Sequence, residues 1–115
     1  MSTRNRDHFE AERERLNRLV LEQGDVVTKR FFHLDWQAYR AGALPEKTKE
    51  LLGLVASLVL RCDDCIQYHL HRCRAVDVED AELAEAVSIG LLVGGSITIP
   101  HIRRLWALWA EEETR

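Results

Sequence analysis

Residues 50–69 of the chain have the sequence ELLGLVASLVLRCDDCIQYH. The ten residues after Glu50 are mostly apolar, and they fall on nearly every face of a helix with about 3.6 residues per turn. Such a helix has to be covered by other elements on all sides. Cys62 and Cys65 follow it, at the start of a more polar helical segment. The segment therefore predicts two consecutive helices, with the cysteine pair where the second begins.

The rest of the chain shows the same helical spacing of apolar residues, and no stretch alternates convincingly as a half-buried strand would. We therefore predict an all-α fold of about six helices. Glycines mark the helix ends. Helix starts are indicated by Pro45, by Pro100 and by Asp77, which has a second acid three residues later, as in a capping box. The predicted helices cover about residues 4–23, 26–41, 45–60, 62–75, 78–93 and 100–112.

Length and composition predict a single domain over residues 1–115. The chain is 46% hydrophobic and 30% charged, which is typical of a globular protein rather than a disordered one. Its net charge of −3 gives no electrostatic basis for binding nucleic acid. The longest apolar runs are too short to cross a bilayer, and the first residues are too polar for a secretory signal. We expect a cytoplasmic protein that binds neither nucleic acid nor membranes.

Two of the predicted helices are apolar on all sides, namely the one that follows Glu50 and the second half of the fifth. A bundle of 115 residues has few elements with which to cover both. We therefore expect the chain to form a homo-oligomer. The alternative is that the long first helix lies across these two helices and covers them within one subunit.

Cys62, Cys65 and His69 share one side of the predicted helix. At about 100° per residue, Cys65 lies about 60° from Cys62, and His69 returns to within about 20° of Cys62. His69 also follows Cys65 by four residues, so it is placed to take a proton from that thiol and to return it. Two cysteines at this spacing can close a disulfide within one turn. Asp63 and Asp64 add negative charge, which raises the pKa of a thiol, although both suit the first turn of a helix.

Each of these residues also has a simpler interpretation. Buried cysteines often behave as inert small apolar side chains, and for Cys73 we prefer this interpretation. Cys73 lies about 12 Å from Cys65 along the helix axis, too far for a disulfide. We expect His33 and His101 to be structural and His8 to be exposed.

Glu50 is the last charged residue before the apolar part of its helix. Its carboxylate could point into the protein, where it would orient His69 or relay protons to it. It could equally be a surface acid near a helix start. The residues alone do not separate these two interpretations.

The spacing of these residues resembles that of the AhpD-like alkylhydroperoxidase branch of the carboxymuconolactone decarboxylase family. The family pattern has an acid, then a Cys-x-x-Cys pair twelve residues later, then a histidine four residues after the second cysteine. The flanking segments agree with it, and the resemblance covers about residues 28–105. The positions that carry the resemblance are Glu50, Cys62, Cys65, His69, residues 42–51, residues 84–95 and His101.

The resemblance implies an all-α bundle, assembly into trimers or hexamers, and peroxide reduction with no cofactor or metal. It also implies that Cys65 is the thiol that attacks the peroxide and that Cys62 resolves the product to a disulfide. His69 and Glu50 would form the proton relay, and an external dithiol would restore the thiols. Decarboxylase members act on a lactone without this cysteine pair, so the pair argues against that activity.

Two other functions use the same residues. A thiol–disulfide oxidoreductase would apply the cysteine pair to protein or small-molecule disulfides instead of peroxides. A zinc module would need donors within about 4 Å of one another, whereas Cys62 and His69 are about 10 Å apart along a regular helix. A second helix would have to supply His33, His101 or Glu50, so the sequence favours redox chemistry.

Overall fold

The structure, a computed structural model, describes residues 2–113, with side chains from residue 5 to residue 111. Within that range the chain forms six α-helices and one 3-10 turn, without a strand. The prediction of an all-α fold is therefore confirmed. The elements in chain order are α1 (Ser2–Gln23), α2 (Val26–Ala38), α3 (Glu46–Val59), α4 (Asp63–Ala75), α5 (Asp80–Gly94), the 3-10 turn Ser96–Thr98 and α6 (Ile99–Glu113).

Among the helix boundaries that differ from the sequence-based prediction are those of α5, α3 and α2. Asp77 is not the cap of α5, because Glu79 takes that place and forms a capping box with Glu82. The carboxylate of Glu82 accepts the backbone N–H of Glu79 at 2.8 Å. Pro45 is the N-cap of α3 rather than its first helical residue, and its ψ of 159° is that of extended backbone. α2 ends at Ala38, three residues before the predicted end.

α3 and α4 end in the same way, with a residue of positive φ just beyond the helix. After α3, Arg61 has a φ of 60°, and its N–H donates to the Leu58 carbonyl at 3.0 Å. The N–H of Cys62 donates to the Ser57 carbonyl at 3.1 Å. This pair of bonds is the Schellman motif, and Asp77, with a φ of 62°, has the same place after α4. The tight turn sets Cys62 at the start of α4.

The core lies between the last four helices. α3 packs against α4 and α5, and α4 packs against α6. Gly90 lets α5 approach α3 closely, because a Cβ at that position would lie 2.7 Å from a methyl carbon of Leu58. Apolar burial in this cluster is the main stabilising contribution to the fold. The buried apolar residues are Leu54, Leu58, Ile66, Leu70, Cys73, Val78, Leu83, Val87, Leu105 and Trp109.

Several apolar faces are not covered within the chain. α2 has no buried residue. Leu52 on α3 is 55% exposed, and Leu92 on α5 is 82% exposed. α1 packs mainly against α6 and α2 and leaves these side chains in solvent. In residues 2–113, no helix is both long and apolar enough to cross a membrane.

Candidate active site

Cys62 and Cys65 are joined by a disulfide at the N-terminus of α4, with their Cα atoms 5.3 Å apart. Cys62 is the N-cap residue of the helix, and its sulfur accepts the backbone N–H of Cys65 at 3.2 Å. Cys65 lies in the first turn and is exposed. The unpaired N–H groups at a helix start carry partial positive charge, which stabilises a thiolate. Both sulfurs therefore lie where reversible thiol chemistry is favoured.

Glu50 and His69 form a buried pair one helical turn beyond the cysteines. The Nδ1 atom of His69 lies 2.9 Å from a carboxylate oxygen of Glu50, and the two residues are 8% and 2% exposed respectively. An ionised carboxylate can only accept hydrogen bonds, so Nδ1 donates to it. In the neutral ring, Nε2 is then free of a proton and can accept one. Of the two interpretations of Glu50, the structure therefore supports the one in which the carboxylate points into the protein.

Arg72 compensates the buried charge of Glu50 from the next turn of α4. Its Nε donates to the second carboxylate oxygen of Glu50 at 3.5 Å, and a terminal nitrogen donates to Glu46 at 3.2 Å. A buried carboxylate without such a partner would be strongly disfavoured. Arg72 was not among the predicted site residues, although its place three residues after His69, on the same face of the helix, was a usable signal.

Tyr39 approaches the other edge of the His69 ring. Its hydroxyl lies 3.4 Å from Nε2, and the two ring centroids are 5.3 Å apart. Gly53 of α3 makes room for this contact, because a Cβ there would lie 2.5 Å from the Tyr39 oxygen and 2.7 Å from the His69 ring. Neither Tyr39 nor Gly53 was predicted to belong to the site. The isolated glycine in an apolar helix was the available signal, since it marks a close approach.

The two acids between the cysteines have different surroundings. Asp63 accepts from Nδ1 of His101 at 2.7 Å and lies 3.0 Å from a terminal nitrogen of Arg104. Partial burial raises the pKa of Asp63, but the hydrogen bonds from His101 and Arg104 outweigh it and hold the pKa below its usual value. Asp64 is exposed. Through its contact with Asp63, His101 ties α6 to the start of α4, a structural role of the kind that was expected from the sequence.

The remaining cysteine and histidines lie outside this group. Cys73 is fully buried in the core, as predicted, and burial raises the pKa of its thiol to about 12. His71 faces the opposite side of α4 and contacts the Phe9 ring of α1. His33 is exposed and stacks on Trp36. Within residues 5–111, no three side chains of the types that bind metal converge.

Two of the cavities beside these elements border α1. One, of about 350 Å³, lies between α1 and α2 and reaches Asp64. Its apolar walls come from aromatic and leucine side chains, and three carboxylates give it negative charge. A larger one, of about 660 Å³, lies between α1 and α4 and reaches Arg72. The smaller cavity is lined by Phe9, Leu16, Phe31, Phe32, Arg13, Asn17, Glu12, Asp35 and Asp64.

A helical bundle with a Cys-x-x-Cys disulfide next to a buried glutamate–histidine pair defines the class of protein. The chain belongs to the carboxymuconolactone decarboxylase family, whose model matches residues 26–108. The resemblance drawn from the sequence is thereby confirmed.

Comparison with solved structures agrees with this family assignment. The chain is 54% identical to the protein TM1620 of Thermotoga maritima, with a TM-score of 0.91, and the match covers 93% of this chain and 94% of the other. A second structure of TM1620, at 53% identity and a TM-score of 0.90, covers 93% and 91% of the two chains. For TM1620, a part in antioxidative response has been suggested.

Two more distant relatives extend this comparison. The family protein lpg0406 of Legionella pneumophila shares the fold, with 23% identity, a TM-score of 0.79, and coverage of 93% of this chain and 96% of the other. An uncharacterized protein of Cupriavidus necator is 31% identical over 58 residues, which are 50% of this chain. The matched part spans about half (51%) of that relative's length.

Proposed function

We propose that the chain is a thiol-dependent hydroperoxide reductase that acts without a bound cofactor. The observation that carries this proposal is the Cys62–Cys65 disulfide at the start of α4, one turn from the buried Glu50–His69 pair. A redox-active cysteine pair needs a nearby acid–base group, and this site supplies one. The suggested antioxidative part of TM1620 supports the same class of reaction.

In the proposed reaction, His69 takes the proton of the Cys65 thiol, and the thiolate attacks an oxygen of the hydroperoxide. The O–O bond breaks, Cys65 becomes a sulfenic acid, and the alkoxide leaves as an alcohol after taking a proton from His69. The Cys62 thiol then attacks the Cys65 sulfur and releases water, which closes the disulfide. An external dithiol reduces this disulfide and is itself oxidised.

We propose that the smaller cavity, which is lined by Asp64 next to Cys65, receives an apolar, uncharged hydroperoxide. Phe31 and Phe32 provide aromatic walls, and three carboxylates line the cavity against the single guanidinium of Arg13. A carboxylate-bearing peroxide would meet net like charge there, and an alkyl or aryl hydroperoxide would not. We place this activity in the cytoplasm, where dithiol reductants keep such cysteine pairs reduced.

A second candidate is thiol–disulfide exchange with other proteins, and the exposure of Cys65 favours it. Exchange begins when an outside thiolate attacks one sulfur of the disulfide, so an accessible sulfur is required. Both functions start from the same disulfide and differ in the compound that oxidises the thiols.

The test is to reduce the protein, remove the reductant and add cumene hydroperoxide. We expect one alcohol per Cys62–Cys65 disulfide formed, while peptide mapping finds Cys73 still as a thiol. In Cys62→Ser, the sulfenic acid of Cys65 should accumulate and react with dimedone. Cys65→Ser should not react with the peroxide, and Cys73→Ser serves as the matched control because its thiol is outside the site.

Two results would contradict the peroxidase proposal. One is a dominant Cys65–Cys73 link, and the other is the absence of any peroxide-dependent link. If the reduced protein instead transfers its electrons to a model disulfide and leaves peroxide unchanged, the exchange function is the correct one.

A further inference from the structure

His69 is held at both ring nitrogens by side chains from different helices. Glu50 of α3 binds Nδ1 at 2.9 Å, and Tyr39, the C-cap residue of α2, faces Nε2 at 3.4 Å. Glu50 fixes which nitrogen carries the proton in the neutral ring, so Nε2 is the atom that must take a proton from Cys65. The hydrogen-bond partner of Nε2, the Tyr39 hydroxyl, therefore affects the proton transfer from Cys65.

We propose that Tyr39 is a positioning residue of this site, whose hydroxyl holds Nε2 of His69 and changes from donor to acceptor as the ring gains a proton. The inference rests on the proton transfer in the proposed function, but its test uses no peroxide. While His69 is neutral, the Tyr39 hydroxyl donates to Nε2. When the S–H bond of Cys65 breaks and its proton moves to Nε2, the Tyr39 oxygen accepts the new N–H, and the thiolate is left on Cys65.

The packing around Tyr39 is built for this contact. Gly53 has no side chain, and this lets both rings approach α3. A Cβ at this position would lie 2.5 Å from the Tyr39 oxygen and 2.9 Å from Nε2 of His69. A glycine inside a helix costs about 1 kcal/mol relative to alanine, and here the space that it leaves is filled by the Tyr39–His69 contact.

The hydroxyl also keeps its proton. Burial raises the pKa of Tyr39 above its ordinary value, and the negative charges of Asp35 and Glu50 raise it further. Near neutral pH the group is therefore a phenol that can either donate or accept, as a change of role requires. A phenolate could only accept and could not hold the neutral ring.

Tyr68 provides a matched control on the same ring. Its ring centroid lies 5.1 Å from that of His69, edge-on, and Arg13 lies over its face at 3.8 Å. In the described part of the chain, Tyr39 is the tyrosine whose hydroxyl makes a hydrogen bond to His69. Removing each hydroxyl in turn therefore separates hydrogen bonding from ring packing.

The experiment is the pH dependence of iodoacetamide alkylation of Cys65 in reduced protein that carries Cys62→Ser. Without the Tyr39 hydroxyl, a protonated Nε2 loses its acceptor in buried surroundings, so the thiolate–imidazolium pair is less favourable. We expect Tyr39→Phe to move the alkylation midpoint up by about one pH unit, which is about tenfold in rate below the midpoint. Tyr68→Phe should leave the profile unchanged.

A Tyr39→Phe profile that overlays those of wild type and Tyr68→Phe would overturn the proposal. Should Tyr39→Phe fail to fold, the tautomer of His69 in the wild-type disulfide form, read by ¹⁵N NMR, is the second measurement. A proton on Nδ1 supports the proposal, and one on Nε2 contradicts it, because Tyr39 could not then donate to the ring. If peroxide reduction fails but Tyr39→Phe still shifts the profile, the proposed function is wrong and Tyr39 keeps its role.

Discussion

At the scale of single residues, the role of Glu50 in the site follows from the side chains that surround it. The side chain is almost completely buried, yet neighbouring side chains donate hydrogen bonds to its carboxylate. His69 donates to one carboxylate oxygen and Arg72 to the other. Such an arrangement satisfies the hydrogen bonds of a buried carboxylate and at the same time fixes the orientation of the histidine ring.

The proton relay can be tested by changing Glu50. Glu50→Gln preserves the shape of the side chain but removes the charge that supports protonated His69. We expect alkylation of reduced Cys65 near neutral pH to slow by about 10²-fold or more, within the range of a positioned acid–base group. His69→Ala should be at least as damaging. The double mutant should be less than additive, because the two residues act as one unit.

The measurement is the alkylation rate of Cys65 against pH in wild type and the three variants. Glu46→Gln is the matched control, since Glu46 also binds Arg72 but lies 30% exposed and does not contact His69 in the described structure. Overlaying profiles for wild type, Glu50→Gln and His69→Ala would show that no relay exists, and Cys65 would then be a simple exposed thiol.

The sequence predicts part of this site but not all of it. Cys62, Cys65 and His69 lie close along one helix, so their spacing is sufficient to bring them together. Tyr39 and His101 come from α2 and α6, and their positions depend on how helices pack. Spacing along the chain carries no information about such contacts. Gly53 was the one local feature of the sequence that indicated a close approach of other residues to α3.

At the scale of helices, the turn between α3 and α4 is the element that places the cysteines. Arg61 takes a left-handed conformation in which glycine is usual, and the Cys62 N–H closes the motif. Cys62 thus ends one helix and caps the next. The sequence predicted that a helix starts near Cys62, but an arginine gave no indication of a left-handed residue.

Replacing Arg61 by glycine should stabilise the protein. A side chain in the left-handed region costs about 1–2 kcal/mol, and this is offset in part by the greater freedom of glycine in the unfolded chain. We expect the free energy of unfolding to rise by about 0.5–1 kcal/mol in chemical denaturation. Arg61→Ala, which keeps the strained conformation, is the control. Equal stability of the two variants would mean that backbone strain at this turn is negligible.

At the scale of the whole molecule, apolar surface on α2, α3 and α5 remains exposed. Large exposed apolar patches are typical of interfaces rather than of free surfaces. Leu92 and Val93 on α5 are 82% and 70% exposed. All-round apolar composition predicted the faces on α3 and α5 from the sequence, but not the one on α2, and it could not show how α1 would lie relative to them.

We expect the protein to be a homo-oligomer at micromolar concentration, with a mass by light scattering that is a multiple of 13.3 kDa. Leu92→Glu should shift the mass towards that of the single chain, because it would place a charge in the interface that we expect at this face. Glu85→Gln on the same helix is the control, since it changes an exposed polar side chain. A folded wild-type protein at the mass of one chain would contradict this expectation.

The absence of buried residues in α2 has a further consequence, which concerns local opening. A helix without buried side chains has few tertiary contacts to hold it, in α2 mainly those with α1, and such segments open first. In a separated subunit, the amides of α2 should exchange with solvent much faster than those of α4. Tyr39 lies at the end of α2, so whatever restrains this helix also restrains the hydroxyl at His69. Assembly would then adjust the reactivity of the thiols without contacting them.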